Sequence, residues 1–239
     1  MTVKMYEVGE SLLNKKLDLS SKVMDVAVVA PDMKTMITSV DSRTKGIKRF
    51  SNGDPDIGPG MSVTAFDMSG NLRRFFLCRD QGVYAGERYN PGTLSLGSIE
   101  SFLSQCAFTA LAIAKDLDSG KIIDPLGGIE DIDIGVLRCT KDPALIFEKD
   151  PAVIFQGVRL AITKGLSILN PDLRIILNSD PESLWVEKIN RLPIESIKPP
   201  LNACFAYNSA KTIHFLHTEM FWIYQEMFKK GSNFRLEIK

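Results

Sequence analysis

In the second half of this 239-residue chain, Asp150-Pro151, Asn170-Pro171 and Asp180-Pro181 each set an aspartate or asparagine directly before a proline at the head of an apolar run. The acid or amide can accept from the orphan amides of a helix's first turn, and proline at the first helical position gives up an N–H that has no partner anyway. These signals commit much of the second half to helix. The first helix should run from Asp150 to about Lys164, with Ile154, Val158, Ala161 and Ile162 on its buried stripe and Gly165 as its stop. Its other face holds only Val153, Gln156 and Arg159, which is little for a helix so firmly started. Further helices are expected over 171–178, 181–190 and 209–229, with the piece between them interrupted at Pro199–Pro200.

The first half is punctuated differently. Residues 24–30, MDVAVVA, form a short apolar run closed by Pro31 and predict a buried strand. MSVTAFDM (61–68) and LRRFFLCR (72–79) flank Ser69-Gly70-Asn71, a hairpin signal. The turn-rich spans 51–60 and 87–98 predict loops. Residues 99–117 carry a helical apolar stripe, followed by an Asp-Ser-Gly turn and a short strand, Lys121–Asp124, closed by Pro125 and Gly127-Gly128. A mixed sheet in the first half and helices in the second make an α+β chain: a small sheet-based head over 1–117 and a helical neck-like region over 118–239.

Charge and cysteine usage narrow the function. Lysine plus arginine equals aspartate plus glutamate at 29 each, a balance poorly suited to gripping phosphate backbones over a large surface. The densest basic stretch is Arg73, Arg74, Arg79 and Arg88. Cys78, Cys106, Cys139 and Cys204 are scattered with no CxxC pair, the pattern of buried thiols rather than a metal site or disulfide frame. No window approaches the roughly 18 apolar residues of a membrane span, and the N-terminus shows no signal core. A cytoplasmic protein with no membrane partner is expected.

Residues 108–166 carry a family resemblance. The pieces are Phe108-Thr109, Asp124-Pro125-Leu126-Gly127-Gly128-Ile129-Glu130-Asp131, Val136-Leu137-Arg138-Cys139, Asp142-Pro143, Asp150-Pro151 and Arg159. In identity and spacing this stretch resembles the class II tRNA nucleotidyltransferase/poly(A) polymerase family, the CCA-adding enzymes, and a weaker match extends the span to 5–170. The resemblance implies a nucleotidyltransferase-like head and a helical neck. It also implies nucleotidyl transfer assisted by two Mg²⁺ ions on carboxylates of neighbouring strands.

The chemistry-bearing positions of that family are changed here. The Asp-x-Asp position falls on Val23-Met24-Asp25, and the third carboxylate position falls on Arg74. The family's glycine-rich loop is shortened to Val8-Gly9, running into Glu10-Ser11-Leu12-Leu13, with Glu10 at best a stand-in for its aspartate. Gln105-Cys106-Ala107 replaces an Arg-Arg-Asp, and Leu111 replaces an asparagine. The base-reading Glu-Asp-x-x-Arg has become Lys149-Asp150-Pro151-Ala152-Val153, and a later arginine has become Gln156. Valine has no donor for a base edge, so Asp150, Val153, Gln156 and Arg159 are a vestigial nucleotide site.

Bland readings stand beside these. Asp124-Pro125-Gly127-Gly128 makes a strand exit and turn, and Arg159 makes an ion pair, with Glu130 or Asp131 as candidates. His214 and His217 lie i,i+3 without an acid or thiol placed to complete a metal site. The run MFWIYQEMF, 220–228, offers Phe221, Trp222, Tyr224 and Phe228 as a partner-binding face.

The leading expectation is a catalytically inactive nucleotidyltransferase-like protein. It would bind a protein partner as an adaptor or structural subunit of a larger assembly, with no metal and no cofactor. The alternatives are an RNA- or tRNA-binding protein, and an active Mg²⁺-dependent transferase with relocated ligands such as Asp25, Asp67 and Asp80. Compact family members of this length resemble those carried by bacterial viruses, which would place the protein in a host cytoplasm or virion. The sequence does not fix its oligomeric state.

Overall fold

The computed structural model describes residues 3–51, 62–79, 96–178 and 184–229. The expected loop 51–60 apart from Ser51, which ends a strand, most of the expected loop 87–98, the Asp180-Pro181 helix start, Asp80 and Arg88 lie outside these residues, as does the side chain of Phe228. The chain divides into two compact units, residues 1–129 and 130–239. The expected boundary after residue 117 falls in the turn between two strands of the first unit's sheet.

The first unit is built on strands β1 (Lys4–Val8), β2 (Val23–Val29), β3 (Thr44–Ser51), β4 (Ser62–Asp67), β5 (Leu72–Leu77), β6 (Ala114–Asp116) and β7 (Ile122–Ile123). They form one sheet in the order β3-β4-β5-β2-β1-β6-β7. β2 and β5 are parallel and the other pairs antiparallel, so the sheet is mixed. β2 lies at its centre and is apolar at consecutive positions because both its faces are covered. One face packs Met5, Val26, Val28, Val63, Ala65, Phe75 and Leu77 against Met36 and Val40 of helix α2 (Met33–Arg43). The other packs Tyr6, Val8, Ala27 and Phe76 against Ile99, Phe102 and Leu103 of helix α3 (Ile99–Leu103). Each such aliphatic side chain contributes roughly 1.5–3 kcal/mol by leaving water, and together they fix which strand face looks where.

Helix α1 (Glu10–Lys16) follows β1 after the single residue Gly9. Lys15 Nζ lies 2.7 Å from Glu7 Oε1, tying the helix back onto the strand it leaves.

The expected helix over 99–117 is not formed. Only α3 and a 3₁₀ turn at Thr109–Leu111 are helical, and Ala114–Asp116 are β6. The apolar spacing suits a helix, but Ala114, Lys115 and Asp116 complete the ladder on β1, opposite Val8, Glu7 and Tyr6. Satisfying that sheet edge outweighs local propensity. The strand 24–30, the hairpin 61–79 and the short strand within 121–124 form as expected.

The second unit is helical, with one small parallel pair, β8 (Val136–Leu137) beside β9 (Ile168–Leu169), that its sequence did not announce. Its helices are α4 (Gly128–Asp133), which straddles the division, α5 (Pro143–Lys149), α6 (Val153–Thr163), α7 (Pro171–Leu177), α8 (Leu184–Asn190), α9 (Ile194–Glu219) and α10 (Phe221–Lys229). Pro199 and Pro200 lie inside α9 and do not interrupt it. They forfeit ladder bonds near its start, where Ile197, Leu201 and Cys204 are buried and hold the helix. The real break in α9 is at Asn208, whose φ of −162° is extended and whose Oδ1 caps Lys211 N at 2.8 Å. The expected start at 209 is thus correct. The expected single helix to 229 is broken again at Met220.

Candidate functional site

The parallel register of β2 and β5 sets Asp25 opposite Arg74. Arg74 Nε donates to Asp25 Oδ1 at 2.7 Å, and Nη2 donates to Oδ2 at 3.0 Å, a two-pronged pair in which the aspartate side chain is only 5% exposed. The guanidinium also lies 5.9 Å from the centroid of Phe76. Ser11 of α1 accepts from Asp25 N at 3.4 Å and donates to Val8 O at 3.1 Å, so the helix start is stitched to the same place. Glu10 is half-buried in the first turn of α1. Val23, two residues before Asp25, shares its face and puts an isopropyl group where a second carboxylate would be needed.

Neighbouring charges on the other face are equally committed. Asp67 accepts from Asn71 N at 2.8 Å and from Arg73 Nε at 2.8 Å, and Arg73 also reaches Met24 Sδ. These hydrogen bonds, the backbone one first, hold the Asp67 carboxyl down at about 2. Met24 and Arg73 alternate with Asp25 and Arg74 along their strands, so Asp67 and Asp25 lie on opposite faces of the sheet. Sequence reasoning missed the Asp67–Arg73 pair, although the four-residue turn spacing between Asp67 and Asn71 could have suggested it.

Two Mg²⁺ ions require several carboxylate oxygens converging on one face. Among the described residues, the β2 positions of this face supply Asp25, with both oxygens on a guanidinium, and Val23. These described residues do not fit the metal pair. Among the described residues, no group of three or more His, Cys, Asp or Glu side chains gathers where an ion could sit.

The other positions set apart by sequence serve the scaffold. Gln105 donates through Nε2 to Arg79 O and Ser101 O, at 2.9 and 3.0 Å. Leu111 is buried, and Phe108 and Thr109 are fully so. Asp124 accepts from Gly128 N at 2.8 Å and Ile129 N at 2.9 Å, capping α4. A Cβ on Gly128 would stand 2.1 Å from Thr109 O, so that position admits only glycine.

In the second unit, Asp150 is the last cap of α5 rather than the start of α6. Its Oδ1 accepts from Ala152 N at 3.0 Å, and α6 begins at Val153. Pro151 therefore occupies the turn between two helices, because α5 uses the preceding residues. Val153 is half-buried, Gln156 is 9% exposed, and nearly all of α6 is enclosed. The face expected to be open is mostly core. Arg159 sits close enough to Cys204 of α9 for its charge to oppose, in part, the burial that pushes that thiol up to about 12. Asp131 accepts from Arg138 Nε at 3.1 Å. Phe221, Trp222 and Tyr224 are half-buried, with Phe221 edge-on to Trp222 at 5.0 Å and His217 edge-on to Phe221 at 5.3 Å.

A mixed sheet whose central parallel pair aligns the Asp25 and Arg74 positions, followed in sequence by helices, defines a nucleotidyltransferase-like head and a helical region. The particular version is the CCA-adding/poly(A) polymerase-like fold. The Bacillus stearothermophilus CCA-adding enzyme in complex with CTP matches over 92% of this chain and 49% of its own, with a TM-score of 0.68 and 20% identity. The Thermotoga maritima CCA-adding enzyme complexed with tRNA matches over 95% and 49%, with a TM-score of 0.70 and 20% identity. A CCA-adding enzyme with ATP matches over 95% and 49%, at 0.68 and 21%. The likeness is one of fold, and the chain spans about half the length of these solved structures. No family model and no curated protein matches the sequence. No helix among the described residues is long and apolar enough to cross a membrane.

Proposed function

We propose that this chain is a catalytically silent nucleotidyltransferase fold that acts by binding, as an adaptor or structural subunit of a larger protein assembly. One observation carries the proposal: both oxygens of Asp25 are engaged by Arg74, with a valine at the companion position. A metal-bound 3′-hydroxyl and pyrophosphate would need that carboxylate and at least one more beside it. Under this reading the protein needs neither Mg²⁺ nor another cofactor. Phe221, Trp222, Tyr224 and Phe228 are the candidate partner contacts, and a phage-encoded assembly in a host cytoplasm or virion is the setting we favour.

The active alternative, with Asp25, Asp67 and Asp80 as relocated ligands, is disfavoured because Asp25 and Asp67 lie on opposite sheet faces. An RNA-binding role is the second reading, supported by the fold shared with an enzyme complexed with tRNA. Incubation with tRNA lacking its terminal nucleotides, Mg²⁺ and labelled CTP or ATP tests the silent reading. No incorporation is expected, and incorporation lost in Asp25→Ala would overturn it. Co-purification of a stoichiometric protein partner, released by Phe221→Ala or Trp222→Ala, would support the adaptor role.

A further inference from the structure

The antiparallel ladder between β1 and β6 sets Tyr6 directly opposite Asp116. Residues so opposed share a sheet face, with their Cβ atoms about 5 Å apart. Tyr6 packs there against Ile99, Phe102 and Leu103 of α3, one pleat back along β1 from Val8, the residue that pairs with Asp25. Glu100 belongs to the same helix, and Asp118 lies in the turn that leaves β6. Burial first, then the charges of Asp116, Glu100 and Asp118, hold the proton on the Tyr6 phenol more tightly than usual, so all three carboxylates bear on that ring. Tyr6 is only 5% exposed, yet its hydroxyl makes no hydrogen bond among the described residues. Buried hydroxyls are ordinarily paired.

The acids around the phenol are tied only to neighbours in sequence. Asp116 Oδ1 accepts from Ser119 N at 2.8 Å and from Asp118 N at 2.9 Å, and Glu100 is held by Ser98. These bonds, Ser119 foremost for Asp116 and Ser98 for Glu100, keep both carboxyls below their ordinary range, with Lys4 adding a smaller push to each. Lys4 forms no ion pair with either acid among the described residues. Three carboxylates and one ammonium leave two net negative charges around an unpaired hydroxyl, with Glu100 and Asp118 exposed and Asp116 half-buried. What the cluster lacks is a cationic donor. A metal ion does not suit it, since no three acids among the described residues converge on one point. A planar guanidinium does, because its five N–H groups fan out over a wide fork, whereas an ammonium offers three donors from a single point.

We propose that Tyr6, Asp116 and Glu100, with Asp118 at the rim, form a seat for an arginine side chain presented by a partner protein. The guanidinium donates to the phenolic oxygen and to the Asp116 and Glu100 carboxylates, while the charge of Asp118 draws it in. Hydrogen bonds from an ionised donor to carboxylates are the stronger kind, and a bidentate fork adds direction. The seat uses neither Asp25 nor Arg74, and none of the aromatic run 220–228, so it can fail while the silent reading or the aromatic contacts stand.

The test titrates the isotope-labelled full chain at neutral pH with blocked glycine-serine peptides that carry one central arginine, lysine or citrulline. The amide NMR signals of Glu100, Asp118 and Ser119 report occupancy. The arginine peptide should saturate them, the lysine peptide should bind about fivefold more weakly, and the neutral citrulline peptide should leave them in place. Tyr6→Phe, which removes only the hydroxyl, should weaken the arginine peptide about threefold. Glu100→Gln and Asp116→Asn should each weaken it about fivefold, the asparagine keeping an Oδ1 acceptor for the turn. Asp41→Asn, which alters an exposed acid of α2, should change it less than about twofold. Each variant is first checked for an otherwise unchanged amide spectrum, and because Glu100 is exposed its variant keeps the test decisive if Tyr6→Phe folds poorly. No saturable shift, lysine or citrulline bound as tightly as arginine, Glu100→Gln equal to wild type, or an equal loss in Asp41→Asn would overturn the proposal.

Discussion

Asp25 and Arg74, forty-nine positions apart in sequence, meet through two hydrogen bonds of 2.7 and 3.0 Å across the only parallel strand pair of the described head sheet. A carboxylate that would otherwise attract a divalent cation is satisfied by a side chain of its own fold. Under the proposed silent reading, the pair takes the place and the charge that a metal ion there would need, while the sheet keeps its register.

Removing the cation should therefore be costly to stability. Arg74→Ala leaves a buried carboxylate without its two-pronged partner and should destabilise the chain by about 3 kcal/mol, the lower part of the range for broken buried pairs because Arg74 is itself partly exposed. Replacing both residues by leucine should cost less than Arg74→Ala alone. Urea denaturation of the three proteins measures both effects.

Gly127 and Gly128 are adjacent, yet their substitutions should differ sharply. Gly127 has a φ of +71° and open space for 4 Å around the point where a methyl would stand, so alanine there should cost about 1 kcal/mol of backbone strain. At Gly128 the methyl would collide with the Thr109 backbone at 2.1 Å, and Thr109 is buried. Gly128→Ala should lower the melting temperature several-fold more than Gly127→Ala.

Asp67 gives the first unit an acid-sensitive contact. Its folded carboxyl titrates at about 2, below its ordinary value of 3.8, through the Asn71 backbone and Arg73 hydrogen bonds. A depressed folded value stabilises the fold above the unfolded titration and loses that contribution as pH falls from about 4 toward 2. The stability gap between wild type and Asp67→Asn should narrow over that window. Unfolding curves across it, with a carboxyl NMR titration of Asp67, provide the check.

Burial pushes the Cys106, Cys139 and Cys204 thiols up to about 12, and that of Cys78 higher still. At pH 8 only about one in ten thousand of the first three would be thiolate, the reactive form. Iodoacetamide should leave them unmodified in the native protein and modify all four in urea, read as a mass shift.

Much of the scaffold is legible in the sequence because its signals are local. The run ending at Pro31, the Ser69-Gly70-Asn71 turn and the Asn170 cap each act within a few residues, and each appears where expected. Segment 99–117 reads as a helix because its helical spacing is real, while the force that makes β6 is a free edge on β1, about a hundred residues earlier. Asp150 is displaced by one helix because Pro143–Lys149, which the apolar stripe of α6 does not reveal, forms α5. At the site, alignment with a family's strand positions locates Asp25 and Arg74, and pairing between distant strands supplies what residue types cannot: that they bond, and that Asp67 faces away.

Titration with Mn²⁺, followed by electron paramagnetic resonance, tests the central claim most directly because it reads the ion rather than its consequences. The account predicts no saturable site at Asp25 up to millimolar metal, and no difference between wild type and Asp25→Ala. Two bound ions per chain, lost in Asp25→Ala, would contradict it.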